Sequence, residues 1–413
     1  MSSSTTPHSL RLEDYTYTLP SSRIAAHPLP ERDQSKLLVY RAQPGNIEHS
    51  HFHDLPLLLP ECSLIVVNRT RVIAARILMM KPTGGTVEVL LTDPVRPLRD
   101  PAVVLASSER SVWRCLIGGR HVTSGMILKE PHTDLVATVI DRDGTEAFVE
   151  LSWERNVSLS QVISEVGHLP LPPYIHREAT PEDAERYQTV YAVEEGSVAA
   201  PTAGLHFTDE VFDALVERRI DRTEVTLHVG LGTFRPVDVD DARDHVMHEE
   251  RFGITRSALG DILGKVRSET PWITAVGTTS IRTLESIYAF GARLRRDGVQ
   301  AHDNADVSQW EAFDSSLDGC TREQVLETII EWMDSRNMQE LWGNTMLMIA
   351  PGCRIAMVDA LITNFHQPGN TLLLLVAGFC GDPGWRDVYA SALSNGYRFL
   401  SYGDSSLLIR TQY

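Results

Sequence analysis

Short apolar runs, punctuated by polar and turn-forming residues, recur along the chain. Residues 36–40 and 64–68 are nearly unbroken in Leu, Val and Ile, the pattern of strands covered on both faces. Between 72 and about 153 the texture changes. β-rich pieces at 86–91, 102–105, 112–117, 135–140 and 146–151 are separated by Gly84-Gly85, Asp93-Pro94, Gly118-Gly119 and Asp143-Gly144. Turn signals at this spacing predict a small antiparallel barrel.

Helical pattern returns at 158–166, which opens on Ser158 as a cap and stops at Gly167, and at 181–192, which has Pro181 in its first turn. Thr208 can cap a helix to 219, with Val211, Phe212 and Leu215 as its apolar stripe. Strand-then-helix alternation follows: a strand at 222–229, then 272–276 before a helix at 280–294, then 372–379 before a helix at 385–393. The unbroken apolar run 372–380 reads as a buried strand. Thr321-Arg322-Glu323-Gln324 is a capping box opening a helix to about 337, and the polar, poorly periodic stretch 295–319 reads as a surface excursion. The expected fold class is α/β: a discontinuous α/β main domain (1–72 and 156–413) with an inserted antiparallel β-barrel domain (73–155).

At 413 residues the chain exceeds one typical core of about 100–150, which agrees with two domains. A formal charge of −17 excludes a protein that coats nucleic acid non-specifically, so any RNA contact must come from a local basic patch. Five scattered cysteines without a Cys-x-x-Cys pair fit a reduced, cytoplasmic setting. Residues 1–9 are polar and Ser-rich, a frayed tail rather than a leader, and the nine-residue apolar run is short of the roughly 18 needed to cross a bilayer. His49, His51 and His53 alternate, and His245 and His248 are three apart, but neither group has a convincing third ligand, so no metal site is expected.

Five segments carry candidate chemistry. Ala199-Ala200-Pro201-Thr202-Ala203-Gly204-Leu205-His206-Phe207-Thr208 and Thr226-Leu227-His228-Val229-Gly230-Leu231-Gly232-Thr233-Phe234-Arg235-Pro236 each pair a histidine with glycines and hydroxyls near an element end. Glycine lets backbone approach a ligand closely, and imidazole is poised for proton transfer near neutrality. Residues 276–285 put Gly277, Thr278, Thr279 and Ser280 where a strand hands over to a helix, whose free N–H groups can bind an anion, and set Arg282 and Glu285 on one helical face. Residues 359–368 bring Asp359, Thr363, Asn364 and His366 together, and 399–405 bring Tyr402 and Asp404. Ligands of open α/β sheets collect at strand ends, where these clusters would fall. Gly230-Leu231-Gly232 lacks the third glycine of a dinucleotide fingerprint, and no P-loop or Gly-x-Ser-x-Gly elbow occurs.

Taken together, these segments resemble the S-adenosylmethionine:tRNA ribosyltransferase-isomerase family of queuosine biosynthesis. The likeness runs from Asp14-Tyr15 and residues 24–29 through Asn68-x-Thr70-Arg71-Val72, residues 169–175 and 186–191, and the five segments above, nearly the whole chain. It implies an α/β domain with an inserted barrel, and movement of the ribosyl part of S-adenosylmethionine onto 7-aminomethyl-7-deazaguanine at the tRNA wobble position. Epoxyqueuosine forms, while adenine and methionine leave. The partners implied are that tRNA and S-adenosylmethionine, a consumed substrate rather than a cofactor; no membrane is implied, and a monomer is compatible. It implies His206, His228 and, third, His366 for proton transfer, and Arg282, Thr278 and Thr279 for the methionine carboxylate. Glu285 or Asp404 would face the sulfonium, amine or ribose hydroxyls. Asn68, Thr70, Arg71, Pro201, Thr202, Gly204, Gly230, Gly232, Thr233, Arg235, Asp359, Thr363, Asn364 and Tyr402 complete the expected substrate-binding set.

Arg69 stands where the family usually has an acidic or amide residue, and Gly369-Asn370 where it usually has Lys-Ser; Cys353 replaces a common aromatic. Arg69 is expected to supply the missing cation, which requires the two segments to adjoin. Arg71, Arg76, Lys81, Arg177 and Arg186 are candidate RNA contacts. The alternative is a catalytically reduced RNA-binding or regulatory paralogue of the same fold; a methyltransferase ranks lower, lacking a glycine-rich loop followed by an acidic strand end.

Overall fold

The computed structural model describes residues 9–43, 45–119, 121–230 and 237–410. Most of the tail expected over 1–9 lies outside them. Nine strands form one mixed sheet in the order Glu340–Thr345, Glu250–Thr255, Asp221–Leu227, Leu64–Asn68, Ile273–Val276, Ala360–Asn364, Ser405–Ile409, Lys36–Arg41, Asn46–His51. The four strands from Asp221–Leu227 to Ala360–Asn364 are parallel, so their carboxyl ends share one edge. Leu64–Asn68 is buried at every position, as its unbroken apolar run requires of a central strand with both faces covered. Its alternate residues serve two cores. Leu64 and Val66 pack with the larger helical layer, and Ile65 and Val67 pack with Phe52, Phe207 and Leu215 on the other face.

Helix Gly277–Asp297 is buried along most of its length, with polar residues such as Ser280, Arg282, Thr283 and Glu285 buried beside its apolar ones. Its outer side is covered by helix Arg322–Asp334, where Phe290 meets Trp332 edge-on at 5.2 Å. Thr321 and Gln324 cap that helix reciprocally, as the sequence predicts. The stretch between the two helices is not merely a surface excursion: Ala305, Val307 and Leu317 enter the main core, and Val307 bridges Thr345 at the sheet edge.

The second sheet is the inserted barrel. Strands Arg76–Met80, Thr86–Arg96, Arg110–Ile117, Glu146–Ser152, Val136–Asp143 and Ile127–Lys129 pair antiparallel in that order, and Met80 opposite Lys129 closes the ring. Alternate residues such as Val87, Val89 and Leu91 point inward. The barrel core runs past the expected boundary at 155. Helix Leu159–Val166 sends Leu159, Val162 and Ile163 into it, and Gly167–His168 adds to the strand at Ile77 and Arg76. A plugging helix carries no β texture, which is why the sequence places the boundary early.

Three expected elements differ. Thr371–Cys380 is a helix, not a strand. Nine consecutive apolar residues hide periodicity, and the deciding signal is Asn370, whose side chain accepts from Leu372 N at 2.8 Å as an N-cap. Pro101–Leu105 is likewise a helix, capped by Asp100 with Pro101 in its first turn. The helix expected at 181–192 ends at Arg186.

Gly378 lets helix Thr371–Cys380 lie against the backbone of Ala350, where an added Cβ would sit 2.8 Å from the carbonyl oxygen. Gly378→Ala should destabilise the fold by about 1–3 kcal/mol, because overpacking against rigid backbone outweighs alanine's helix preference. Urea unfolding at wild-type stability would contradict this packing.

Candidate active site

The carboxyl edge of the four parallel strands opens into a cleft, the place where ligands of open α/β sheets collect. Residues 199–203 form one wall, Gly277, Thr278 and Thr279 a second, Thr363, Asn364, His366, Gln367 and Asn370 a third, and Tyr174, Leu400 and Ser401 close it. Gly277 has φ +87°, a conformation that favours glycine, and it starts the long helix directly from strand Ile273–Val276. No side chain caps this helix, and the buried hydroxyl of Thr279 has no partner. The helix N-terminus therefore presents unsatisfied donors to the cleft.

Behind the wall, His206 Nδ1 bonds Ser35 Oγ at 2.8 Å and its Nε2 faces Asn364 Nδ2 at 3.3 Å. Asn364 Oδ1 accepts from Thr202 Oγ1 at 2.8 Å, so the amide nitrogen is the donor to Nε2 and the Nδ1–H donates to Ser35. His366 Nε2 bonds Thr363 Oγ1 at 2.9 Å and its backbone N–H donates to Tyr389 Oη. Burial lowers the pKa of His206 to about 3 and that of His366 to about 4, so both rings are neutral at pH 7.

A second, larger cleft lies between the barrel and the main body. Asp93, Arg99, Arg114, Arg142 and Phe148 line it from the barrel, and His228, Gly230, His248, Glu250 and Arg251 from the main body. Val229 lines both clefts. His228 has a buried Nδ1 without a partner, and burial, with Arg251 nearby, lowers its pKa to about 4. Its ring lies parallel to Trp342 at 6.1 Å, and the Arg251 guanidinium sits over the same indole.

Residues 12–408 match the family model of queuosine biosynthesis proteins. Curated relatives named S-adenosylmethionine:tRNA ribosyltransferase-isomerase include one from Anaeromyxobacter dehalogenans, 38% identical, and one from Moorella thermoacetica, 37% identical. Each match covers 97% of this chain and 100% of the relative. The chain belongs to the S-adenosylmethionine:tRNA ribosyltransferase-isomerase family of queuosine biosynthesis. It is an enzyme of the transferase class. A crystal structure of an S-adenosylmethionine tRNA ribosyltransferase from Thermotoga maritima aligns over 96% of this chain and 100% of that one, at 27% identity and a TM-score of 0.47.

Of the positions expected from the family, Pro201, Thr202, Thr278, Thr279, Thr363, Asn364 and His366 converge on the first cleft, while His228 and Gly230 line the second. His206 stands behind the first wall. Gly232, Thr233 and Arg235 lie outside the described residues. Several others lie outside the linings of both clefts. Arg282 pairs with Glu250 and donates to the Leu347 carbonyl, lining a cavity beside the cleft rather than the cleft itself. Glu285 accepts the N–H groups of Ala356 and Met357, both at 2.8 Å, and burial holds its carboxyl above the usual range despite those bonds. Asp359 is held by both arms of Arg322 and by Ile273 N. Asp404 accepts from the backbone of Lys36 and Arg398, and Tyr402 donates to Asp183. Asn68 and Thr70 are fully buried, and Arg71 is exposed on the ribbon that pairs Thr70–Val72 with Glu194–Ser197. Gly204 is a packing glycine: its Cβ would fall 2.0 Å from Tyr191 Oη.

Arg69 does not replace a cation at 369. Its guanidinium faces Thr226, Glu194 and Glu340, whereas Gly369 bonds the Tyr15 carbonyl. Tyr174 and Gln367 lie in segments the sequence singles out, 169–175 and 359–368, but are not themselves named there, and Ser35 lies outside every such segment. Among the described residues no three His, Cys, Asp or Glu side chains form a metal-binding group; His49 bonds Tyr397, and His51 stacks on His53. No helix there is long and apolar enough to cross a membrane.

Two outcomes follow from these burials. His206 has a folded pKa below its unfolded one, so the unfolded state binds the extra proton; the stability this neutral ring contributes is complete above about pH 6.5 and falls as pH drops toward about 3. Urea titrations between pH 6 and 5 should show His206→Gln with a shallower loss than wild type, by about 1.4 kcal/mol per pH unit; equal slopes would place the imidazole in solvent. Glu285→Ala should cost about 2–4 kcal/mol by leaving two inward-facing N–H groups bare, with Glu285→Gln milder, and wild-type unfolding of the alanine variant would refute the brace.

Proposed function

We propose that this enzyme transfers and isomerises the ribosyl group of S-adenosylmethionine onto 7-aminomethyl-7-deazaguanine in the tRNA anticodon, giving epoxyqueuosine with release of adenine and methionine. S-adenosylmethionine occupies the first cleft and is consumed as a substrate. Its methionine carboxylate meets the open N-terminus of helix Gly277–Asp297 and the hydroxyls of Thr278 and Thr279, in place of Arg282. The modified base, extruded from the anticodon loop as enzymes acting on bases require, enters from the second cleft. A cytoplasmic setting goes with such a substrate.

The observation that carries this reading is that Val229 lines both clefts, next in the chain to His228, which lines the second and has a buried ring nitrogen without a partner. The sulfonium acidifies the adjacent ribose carbon, so a neutral base must take a proton before the amine attacks the sugar, and departing adenine gains from protonation. His228 is the proton-transfer residue by this account. His206, with both ring nitrogens engaged, positions Asn364. His366 orients Thr363.

The test mixes enzyme, S-adenosylmethionine and tRNA carrying the aminomethyl base, and follows products by mass spectrometry. Adenine and methionine should appear only when that tRNA is present. S-adenosylhomocysteine instead would establish a methyltransferase, and binding without turnover a regulatory paralogue. His228→Ala should lower kcat by about 10²–10⁴-fold, and near wild-type turnover would remove it from the chemistry.

A further inference from the structure

A separate recess shares Ser401 with the first cleft and is lined by Arg32, Arg186 and Arg398 together with His206 and Tyr402. Arg32 donates to the carbonyl oxygens of Gln188 at 2.6 Å, Glu185 at 3.0 Å and Leu205 at 3.4 Å. Arg186 donates to those of Pro30 at 2.9 Å and Leu29 at 2.5 Å. Carbonyls aim a guanidinium without neutralising it. Among the described residues neither arginine has a carboxylate within ion-pair distance, whereas Arg398 has Asp404 at 3.6 Å and the neighbouring Arg177 is held by Asp183. The Nε of Arg186 is buried without a partner. Burial and then the adjacent charge of Arg186 lower the pKa of Arg32, outweighing the Glu185 carboxylate and Tyr402, which raise it. An anion between them would offset that repulsion, and paired guanidinium forks suit phosphate oxygens.

We propose that Arg32 and Arg186 clamp a backbone phosphate of the tRNA strand, next to the nucleotide whose base is modified. This rests on the reading that RNA is the second substrate. The chain carries −17 overall, so its long-range field repels RNA, and binding depends on a few cations fixed in place. Phosphate contacts of this kind set register rather than sequence preference.

The experiment measures tRNA affinity of Arg32→Gln, Arg186→Gln and the double variant by filter binding over a range of salt, with S-adenosylmethionine affinity by calorimetry alongside. The double variant should remove about 0.7–0.9 from the slope of log K against log salt, the share of one phosphate, with each single variant weakening tRNA binding, and all should leave S-adenosylmethionine affinity unchanged. A double variant with wild-type affinity and slope overturns the clamp but leaves the transferase reading intact. That reading falls separately, if wild-type enzyme releases no adenine. Weaker S-adenosylmethionine binding with an unchanged salt slope would assign the recess to the methionine carboxylate and also overturn the clamp. Should the glutamine variants not fold, wild-type crystals soaked in inorganic phosphate decide: phosphate bridging both guanidinium groups supports the clamp, and an empty recess at saturating phosphate rejects it.

Discussion

The side-chain amide of Asn68 determines where both halves of the site begin. Main-chain pairing between Leu64–Asn68 and Asp221–Leu227 ends with Asn68 opposite Val225. The amide then continues the ladder in place of backbone, with Oδ1 accepting from Leu227 N at 3.1 Å and from Thr70 N at 3.3 Å, and Nδ2 donating to Leu227 O at 3.0 Å. The group is fully buried, where an unmet backbone donor or acceptor costs about 1–3 kcal/mol. Because the side chain takes over, the chain after 68 is free to leave the sheet toward the barrel. The neighbouring strand leads into His228, which lines the second cleft, and Val229, which lines both.

A second constraint is the neutrality of the first cleft. Its polar lining among the described residues consists of hydroxyls, amides and a neutral imidazole, and the formal charges around it are turned away into braces. Arg282 with Glu250, Asp359 with Arg322, and Glu285 on two N–H groups each tie a helix or strand end to a neighbour. Buried pairs of this kind add little net stability but are costly to break, so they fix geometry. What they fix here is the uncapped start of helix Gly277–Asp297. A zwitterionic amino acid group can be held by that helix dipole and by hydroxyls, with no opposing charge needed in the wall.

Much of this was legible from order and texture. The β-rich pieces separated by turn pairs announced the barrel, the unbroken run at 64–68 announced a central strand, and Gly277 followed by hydroxyls announced a helix N-terminus at a strand end. Where the reading failed, pattern and position gave different answers. Thr371–Cys380 is apolar on every side, so only the Asn370 cap distinguishes helix from strand. Glu285, Asp359 and Asp404 look like site carboxylates by type and by neighbourhood, yet Glu285 and Asp404 accept from backbone N–H groups and Asp359 from Arg322 and one N–H, directions that no spacing encodes. His206 and His228 are alike in motif and differ in burial: one ring has both nitrogens satisfied, the other has one left open. Ser35 reaches His206 through tertiary folding alone.

The inserted barrel is a wall of the site and not an appendage. Arg251, beside His228 in the second cleft, pairs with Asp100 of the barrel at 2.7 Å, and Asp100 also caps helix Pro101–Leu105. Pro101 packs on Gly196, which has φ +131° and no room for a Cβ, since one would sit 2.4 Å from Pro101 Cβ and 3.0 Å from His228 Nδ1. The open nitrogen of His228 is thus held in a slot whose sides belong to both units. Trp342, from the strand that closes the far sheet edge, lies against Gly253 and completes the stack with Arg251 and His228. Barrel, sheet edge and the parallel strands therefore set one imidazole's surroundings jointly, and a shift of any of the three would alter its solvation and hence the pH range over which it can accept a proton.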